Sequence, residues 1–296
     1  LDRPKCEKIY LKNKDKMMYK NVLELKVLLR KKYNKPLIAI TGSNGKTTTK
    51  ELLVHIIKSK YNVLYNKESK NNIIGVSSTL FELNRKHNLI VMELGSNHMG
   101  EISTLSNMCE PTTSIITNIG SSHLEYFKTK KNIFKEKISI QDGMKDKKLI
   151  VNGDDKYLKN LKYYKCGINF NNDLIAYDIS EYKTYITFKI YLEEEYKITF
   201  NNPGRHFIND ILLAIKVCLD YGIKIETIIK KINTFKLSIN ACSKNSICSP
   251  FILNKYNYNN YFWRYCNIVY KKRLFQGLEF LYGLLKTEFA LSFLMV

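Results

Sequence analysis

Hydrophobic and polar residues are arranged along much of the chain in blocks that predict buried strands separated by helices. Short, mostly apolar runs occur at residues 37–40, 89–92, 114–117 and 149–151. Runs of this kind are typical of strands that are covered on both faces of a parallel sheet. The segments between them are long enough for the crossover helices that parallel strands require. The pattern therefore predicts an α/β fold, a mostly parallel sheet with flanking helices.

A smaller antiparallel piece is predicted after this sheet. Residues 184–192 alternate apolar and polar side chains, and residues 196–200 have the composition to return as a β-hairpin partner. Apolar helices are predicted at 207–219 and 225–232, and an amphipathic helix at 22–29. The predicted fold thus combines a parallel sheet with a small antiparallel hairpin.

The character of the sequence divides the chain into three parts. Residues 1–35 form a lysine-rich lead-in, and residues 36–238 carry the alternating strands and helices. Residues 239–296 are rich in aromatic residues and poor in acidic ones, and no periodicity persists there. We therefore predict a lead-in, one central domain and a separate tail.

The charge balance is strongly basic, because 48 Lys and Arg residues against 27 Asp and Glu residues give a formal net charge of +21. Such a charge attracts polyanions, including nucleotides, phosphorylated substrates and nucleic acids. The lysines are dispersed among many Asn, Ile and Tyr residues and form no concentrated basic block. A general compositional bias explains this pattern without a dedicated partner, so we expect no specific nucleic-acid ligand.

The sequence carries no membrane or export signal that we recognise. No run reaches the roughly 18 consecutive apolar residues that a membrane span requires, and the first residues lack the apolar core of a signal peptide. The seven cysteines show no short metal-type spacing. We expect a cytoplasmic protein with reduced thiols.

A candidate phosphate-binding loop follows the first predicted strand. Residues 41–49 read Thr-Gly-Ser-Asn-Gly-Lys-Thr-Thr-Thr and precede a helical run at 50–58. In the order strand, glycine loop, helix, backbone N–H groups and the helix N-terminus attract phosphate, Lys46 reaches the outer phosphates and Thr47 can ligate Mg²⁺. The glycine spacing is shorter than in the general loop, and an ordinary helix-capping turn is the alternative. The predicted nucleotide contacts in this loop are Thr41, Gly42, Ser43, Asn44, Gly45, Lys46, Thr47 and Thr48.

Two further polar residues follow predicted strands. Glu93 ends the second apolar run and His123 comes shortly after the third. The carboxyl ends of parallel strands meet at one edge of a sheet, where open α/β folds bind ligands. Glu93 is therefore either a metal ligand or a solvated glutamate at a strand end. His123 is a candidate for metal or phosphate contact, although an isolated histidine is more often structural.

Several short motifs also follow one another in a fixed order. They are Thr-Gly-Ser-Asn-Gly-Lys at 41–46, Thr-Thr-Thr-Lys-Glu at 47–51, Asn-Asn-Ile-Ile-Gly-Val at 71–76, Glu-Leu-Gly-Ser-Asn-His-Met-Gly-Glu-Ile at 93–102, Thr-Asn-Ile-Gly at 117–120 with His-Leu-Glu at 123–125, and Asn-Gly-Asp-Asp at 152–155. In these motifs the chain resembles the Mur ligase family, the ATP-dependent amino-acid ligases of peptidoglycan precursor synthesis. The resemblance covers about residues 20–238. It implies that residues 1–35 are a remnant of the family's N-terminal substrate domain and that residues 36–238 are its phosphate-loop central ATP-binding domain.

The resemblance implies ATP and Mg²⁺ as cofactors. Lys46 and the loop amides would hold the ATP phosphates. The implied metal ligands are Thr47 and Glu93 for one Mg²⁺ and His123 for a second, and Lys137 falls where the family carries a carbamylated lysine. Lys135 takes that place if the alignment shifts by two residues. The implied catalytic set is Lys46, Glu93, His123 and Lys137.

The resemblance also implies nucleotide contacts outside the loop. Asn118 lies in one of the matching motifs. His206 lies in a segment that approaches the nucleotide base in the family, and Asp210 stands where the family usually has an asparagine, with Asn209 beside it. Contact with adenine at Asp210 is therefore an open question at this point.

Segment 93–102 is most like the family member that joins D-alanyl-D-alanine to a UDP-N-acetylmuramoyl tripeptide. The implied reaction phosphorylates the tripeptide carboxylate with ATP, and the dipeptide amine then attacks the acyl phosphate. The family has three domains, and the resemblance stops near residue 238, so we expect an incomplete, monomeric chain that holds ATP and ligates poorly or not at all. The alternatives are an inactive ATP-binding or basic interaction protein and a folylpolyglutamate synthase-like ligase.

Overall fold

The structure is a computed structural model that describes residues 33–237, apart from residues 68, 69, 123 and 147. The predicted helix at 22–29, the tail at 239–296 and the candidate ligand His123 lie outside the described residues. The predicted domain bounds therefore stay predictions.

The described residues form one nine-stranded sheet. Its strands are β1 (Leu37–Thr41), β2 (Val63–Tyr65), β3 (Leu89–Glu93), β4 (Thr113–Ile116), β5 (Lys148–Asn152), β6 (Tyr164–Gly167), β7 (Leu174–Glu181), β8 (Ile186–Tyr191) and β9 (Glu195–Phe200). They lie in the order β2-β3-β1-β4-β5-β6-β7-β8-β9. Pairs from β2 to β7 are parallel, whereas β7-β8 and β8-β9 are antiparallel. The predicted mostly parallel sheet with a small antiparallel part is confirmed.

Helices cover both faces of this sheet. They are α1 (Lys46–Ile57), α2 (Ile73–Phe81), α3 (Glu101–Cys109), α4 (Leu124–Phe127), α5 (Lys130–Ile138), α6 (Phe207–Asp220) and α7 (Ile225–Thr234), with a 3₁₀ turn at Ser139–Gly143. Alternate residues of β1 enter two separate cores: Ile38 and Ile40 pack with α1, α6 and α7, and Leu37 and Ala39 pack with α2, α3 and α5. Both faces of β1 are therefore dry, which explains its uninterrupted apolar sequence. No helix in the described part is both long and apolar enough to cross a bilayer.

Three strands were not apparent in the sequence pattern. β2 has only three residues, and β6 mixes tyrosine, lysine, cysteine and glycine. In β7 the pairing with β8 shifts between Tyr177 and Ser180, and Asp178 has a positive φ of 52°. Such a bulge interrupts the alternation of side chains from which a strand is recognised.

The register of the central strands brings several strand ends to one edge. Ile40 of β1 lies beside Glu93 of β3, and Thr41 lies beside Ile116 of β4. Because these strands are parallel, the segments that follow them leave the sheet together. The phosphate loop, the segment after Glu93 and the segment after Ile116 are thus neighbours.

Candidate nucleotide and metal site

The loop between β1 and α1 has a backbone that requires glycine at two positions. Gly42 has a φ of 145° and Gly45 a φ of 78°. A Cβ atom at residue 42 would overlap the Thr117 hydroxyl, and a Cβ atom at residue 45 would overlap the Asp210 carboxyl group. The loop is therefore closely backed by the end of β4 on one side and by α6 on the other.

The segment after β4 fixes the shape of the loop. The backbone N–H of Ser43 donates to the Asn118 carbonyl at 3.1 Å, and the N–H of Asn44 donates to Asn118 Oδ1 at 2.9 Å. In return, the N–H of Gly120 donates to Ser43 Oγ at 2.8 Å. Asn118 thus holds the phosphate loop, while its contact with a nucleotide stays a prediction.

Lys46 lies inside the curve of the loop. Its Nζ atom donates to the carbonyls of Gly42 at 2.8 Å and Ser43 at 2.9 Å. Burial lowers the pKa of Lys46, an effect that the charges of Glu93 and Asp210 oppose. The Lys46 ammonium group is partly desolvated and lies beside the loop backbone, so it is well placed to bind an anion.

Glu93 is buried and its carboxylate is held from three directions. Only 1% of the residue is exposed. Oε2 accepts from Thr47 Oγ1 at 3.0 Å and lies 3.2 Å from Lys50 Nζ, and Oε1 accepts from Asn71 Nδ2 at 2.8 Å. The alternative of a solvated glutamate at a strand end is therefore wrong.

Lys137 reaches the same place from α5. A cavity of about 230 Å³ lies beside the loop, and its lining residues are Gly42, Ser43, Lys46, Asn71, Gly95, Ser96, Asn97, Ser122 and Lys137. Lys137 is 3% exposed, and its Nζ atom donates to Ser96 Oγ at 2.9 Å. Burial, together with the nearby charge of Lys46, lowers the pKa of Lys137 to about 8. Lys135 is exposed, so the structure favours Lys137 over Lys135 as the lysine of this site.

The neighbour of Lys137 anchors α5. Glu136 is 1% exposed and accepts from the backbone N–H groups of Gly100 at 2.6 Å and Ile102 at 2.8 Å. A carboxylate in this position satisfies free N–H groups at the start of α3 and interacts favourably with the helix dipole. Glu136 thereby holds Lys137 against the segment that follows Glu93.

The oxygen atoms beside the loop fit Mg²⁺. Glu93 and Thr47 provide a carboxylate and a hydroxyl within hydrogen-bond distance of each other. No group of three or more His, Cys, Asp or Glu side chains in the described part of the chain is arranged to hold a metal ion. Mg²⁺ usually takes one or two protein oxygens and completes its shell with phosphate and water. The donors present therefore suit Mg²⁺ that arrives with a nucleotide, whereas they do not form a complete metal cage.

Comparison with known protein families identifies the family of this chain. The model of the Mur ligase middle domain matches residues 40–218. The chain belongs to the Mur ligase family. This match begins in β1 and ends in α6, so it includes the phosphate loop, Glu93 and Lys137.

The chain is also similar to individual Mur ligases. The chain is 32% identical over 210 residues to UDP-N-acetylmuramoyl-tripeptide--D-alanyl-D-alanine ligase of Buchnera aphidicola (strain Bp), which is 68% of this chain and 45% of that protein. It is also 32% identical over 209 residues to the Bacillus subtilis enzyme of the same name. Among solved structures, MurF from Acinetobacter baumannii superposes with a TM-score of 0.69 at 28% identity, covering 75% of this chain and 51% of that one. The chain spans about half the length of these Mur ligases.

The segment at the start of α6 also belongs to the Mur ligase resemblance. His206 is exposed and packs on Phe207, with ring centroids 4.0 Å apart. Asp210 is 8% exposed and lies under Gly45. Burial raises the pKa of Asp210 to about 8, against the opposing charge of Lys46. The segment therefore supports the loop through Asp210, while a nucleotide contact of His206 stays a prediction.

Several residues of this Mur ligase site had no role in the sequence prediction. Lys50 and Asn71 contact Glu93, and Asp155 Oδ2 accepts from the backbone N–H of Ile119 at 2.8 Å, next to Asn118. Each of the three lies within a motif that carries the family resemblance. Their presence in those motifs was a signal, but their partners are distant in sequence and emerge only from the fold.

Proposed function

We propose that this chain is the ATP-binding core of a ligase that joins D-alanyl-D-alanine to a UDP-N-acetylmuramoyl tripeptide. The observation that carries the proposal is the convergence of Lys46 and Lys137 on one cavity beside the phosphate loop, with Glu93 and Thr47 next to it. The names of the relatives supply the substrates, and the motif at 93–102 is the part of the sequence that favours this member of the family. ATP and a UDP-linked peptide are both polyanions, which a basic protein attracts.

The residues beside the cavity have separate roles in phosphoryl transfer in this proposal. Lys46 and the loop amides bind the β- and γ-phosphates, and Glu93 with Thr47 ligates Mg²⁺. When bound, Mg²⁺ neutralises charge on the transferring phosphoryl group and orients it. The tripeptide carboxylate takes the γ-phosphate and ADP leaves. The D-alanyl-D-alanine amine then attacks the acyl carbon, an amide bond forms, and phosphate leaves with loss of a proton from nitrogen.

Lys137 has a chemistry of its own in this proposal. We expect its amine to react with CO₂, forming an N–C bond and releasing a proton, because only the neutral amine is a nucleophile and its pKa of about 8 leaves a substantial neutral fraction near neutral pH. The product is a carbamate, which carries a negative charge where the ammonium carried a positive one. A carbamate at this position is an oxygen ligand for a cation. His123 remains the proposed ligand for the second Mg²⁺.

The test begins with nucleotide binding. Calorimetry should give a dissociation constant for MgATP in the micromolar to millimolar range, which is about −8 to −4 kcal/mol. Lys46→Ala should weaken binding by about tenfold or more, because charged hydrogen bonds contribute about 1.5–3 kcal/mol each. The exposed Lys58, at the end of α1, provides the control variant Lys58→Ala. Equal MgATP affinity in Lys46→Ala and the unchanged chain would contradict the phosphate-loop assignment.

The second measurement separates the ligase from its alternatives. Phosphate release that requires both the tripeptide substrate and D-alanyl-D-alanine supports the ligase, and release with a folate and glutamate supports the folylpolyglutamate synthase-like alternative. ATP binding with no release under either condition supports a nucleotide-binding protein without turnover. A basic interaction protein would instead bind any duplex with an affinity that falls steeply with salt. Sedimentation of the pure protein would test the proposed monomer.

A further inference from the structure

A buried ion pair lies directly behind the proposed metal site. Lys50 Nζ is 3.2 Å from Glu93 Oε2, and each side chain is 1% exposed. Removing two charged groups from water costs several kcal/mol each, and their mutual attraction often does no more than offset this cost. Protein stability alone therefore does not explain the ion pair. Its position beside Thr47 points to a role in the site.

The geometry of α1 explains why Lys50 and Thr47 meet at the same atom. Residues three apart on a helix lie on the same face, so both side chains of this i, i+3 pair extend toward β3. Thr47 Oγ1 and Lys50 Nζ both contact Oε2 of Glu93, at 3.0 and 3.2 Å. The lysine therefore approaches the carboxylate from further along the helix, while the threonine lies nearer the phosphate loop.

The rest of Glu93 is also fixed. Asn71 holds Oε1 at 2.8 Å, and the Asn66 side chain accepts from the Glu93 N–H and donates to the Glu93 carbonyl, both at 2.9 Å. Its backbone and both carboxylate oxygens are thus held by different neighbours. Among these contacts, Lys50 is the one that also compensates the charge of the carboxylate.

We propose that Lys50 is a positioning residue for the metal site: it keeps the Glu93 carboxylate directed at Thr47 and compensates its charge inside the protein. The inference rests on the proposed function, because it requires that Glu93 ligates Mg²⁺. Residues that orient a metal ligand in this way commonly change metal affinity by about 10–100-fold when they are replaced. The opposite role is a placeholder, in which the ammonium occupies the position of the cation and competes with it.

The two roles predict opposite effects on the metal dependence of ATP binding. We define the metal effect as the ratio of the ATP dissociation constant in excess EDTA to that in excess Mg²⁺. If Lys50 positions Glu93, Lys50→Met should reduce the metal effect by about tenfold and leave binding in EDTA unchanged. A metal effect that increases would show a placeholder, and one that stays the same with lower stability would show a purely structural pair; both outcomes overturn the proposal. Lys58→Met, at the exposed C-terminal end of the same helix, is the matched control.

A double-mutant cycle keeps the test decisive if the unpaired carboxylate prevents folding. Lys50→Gln retains a hydrogen-bond donor without the charge, and it should also reduce the metal effect. In a Glu93→Gln background, adding Lys50→Met should change the metal effect no further, because the lysine acts through the carboxylate. A further change in that background would contradict the inference. Failure of the unchanged chain to bind ATP in either condition would instead overturn the proposed function.

Discussion

Replacing Asp210 by asparagine should change how the stability of the protein depends on pH. Asp210 is 8% exposed and lies under Gly45 of the phosphate loop. Burial raises the pKa of its carboxyl group from the usual 3.8 to about 8. Asparagine has nearly the same shape and no titratable proton, so Asp210→Asn removes the titration and keeps the packing.

The sign follows from the direction of the shift. Between pH 3.8 and about 8 the folded protein keeps a proton on Asp210 that the unfolded chain releases. The loss of stability that Asp210 causes is absent below pH 3.8, grows between pH 3.8 and about 8, and is complete above about pH 8. The contribution to the unfolding free energy therefore falls by up to about 1.4 kcal/mol per pH unit, to an upper limit of about 6 kcal/mol.

Urea denaturation at a series of pH values measures this contribution. The difference in unfolding free energy between Asp210→Asn and the unchanged protein should increase from about pH 5 to about pH 7.5 and level off above about pH 8.5, in favour of the variant. Asp146→Asn, at an exposed position, controls for a general effect of removing one carboxyl group. Parallel stability curves for Asp210→Asn and the unchanged protein would refute the assignment of a buried, protonated carboxyl group beneath the loop.

Two further substitutions test the support of the loop. Gly45→Ala should weaken MgATP binding and lower stability, because φ is 78° at this residue and the new Cβ atom would meet the Asp210 carboxyl group; the left-handed conformation alone costs about 1–2 kcal/mol. Calorimetry and denaturation measure both effects, and unchanged MgATP affinity would contradict the expected distortion. Asp155→Ala should leave the backbone N–H of Ile119 without its acceptor and cost about 1–3 kcal/mol, with weaker nucleotide binding because Asn118 adjoins that group. Asp155→Asn keeps one of the two acceptor oxygens, the other of which receives the N–H groups of Tyr157 and Leu158, so it should recover part of the loss. Equal losses in the two variants would argue against this role.

The sequence predicted those parts of the fold that local patterns determine. The apolar runs of β1, β3, β4 and β5 indicated parallel strands because both faces of each are covered by helices. The order of strand, glycine loop and helix predicted the turn between β1 and α1, and the strand-end position of Glu93 indicated its edge of the sheet.

The contacts that complete the site were beyond the reach of such patterns. Lys50 and Glu93 are 43 positions apart, and 36 positions separate Asp155 from Ile119. A lysine on a helix face or an aspartate in a turn has the same local sequence whether it is solvated or buried against a distant partner. Only the pairing of β1 with β3 and of β4 with β5 brings these groups together.

The charges beside the cavity make the protonation state of Lys137 measurable. Lys50 is paired with Glu93, and the raised pKa of Asp210 keeps its carboxyl group largely neutral at neutral pH. Among the described residues, Lys46 and Lys137 therefore remain as the positive groups that face the cavity. Their mutual repulsion is one reason why the pKa of Lys137 is lowered to about 8.

A bound polyanion should reverse that lowering, since it favours the charged amine. If Lys137 is the free amine, ATP binding at a pH near 8 should therefore take up as much as about half a proton at this residue. Calorimetry in two buffers of different ionisation heat measures the uptake, and Lys137→Met should reduce it, while Asp210, whose pKa is also about 8, contributes uptake that the variant leaves. A carbamylated lysine has no amine to protonate, so it would show no uptake and would give a ¹³C carbamate signal after exposure to labelled bicarbonate. Equal uptake in Lys137→Met and the unchanged protein, with no carbamate signal, would contradict the position of this amine beside the bound phosphates.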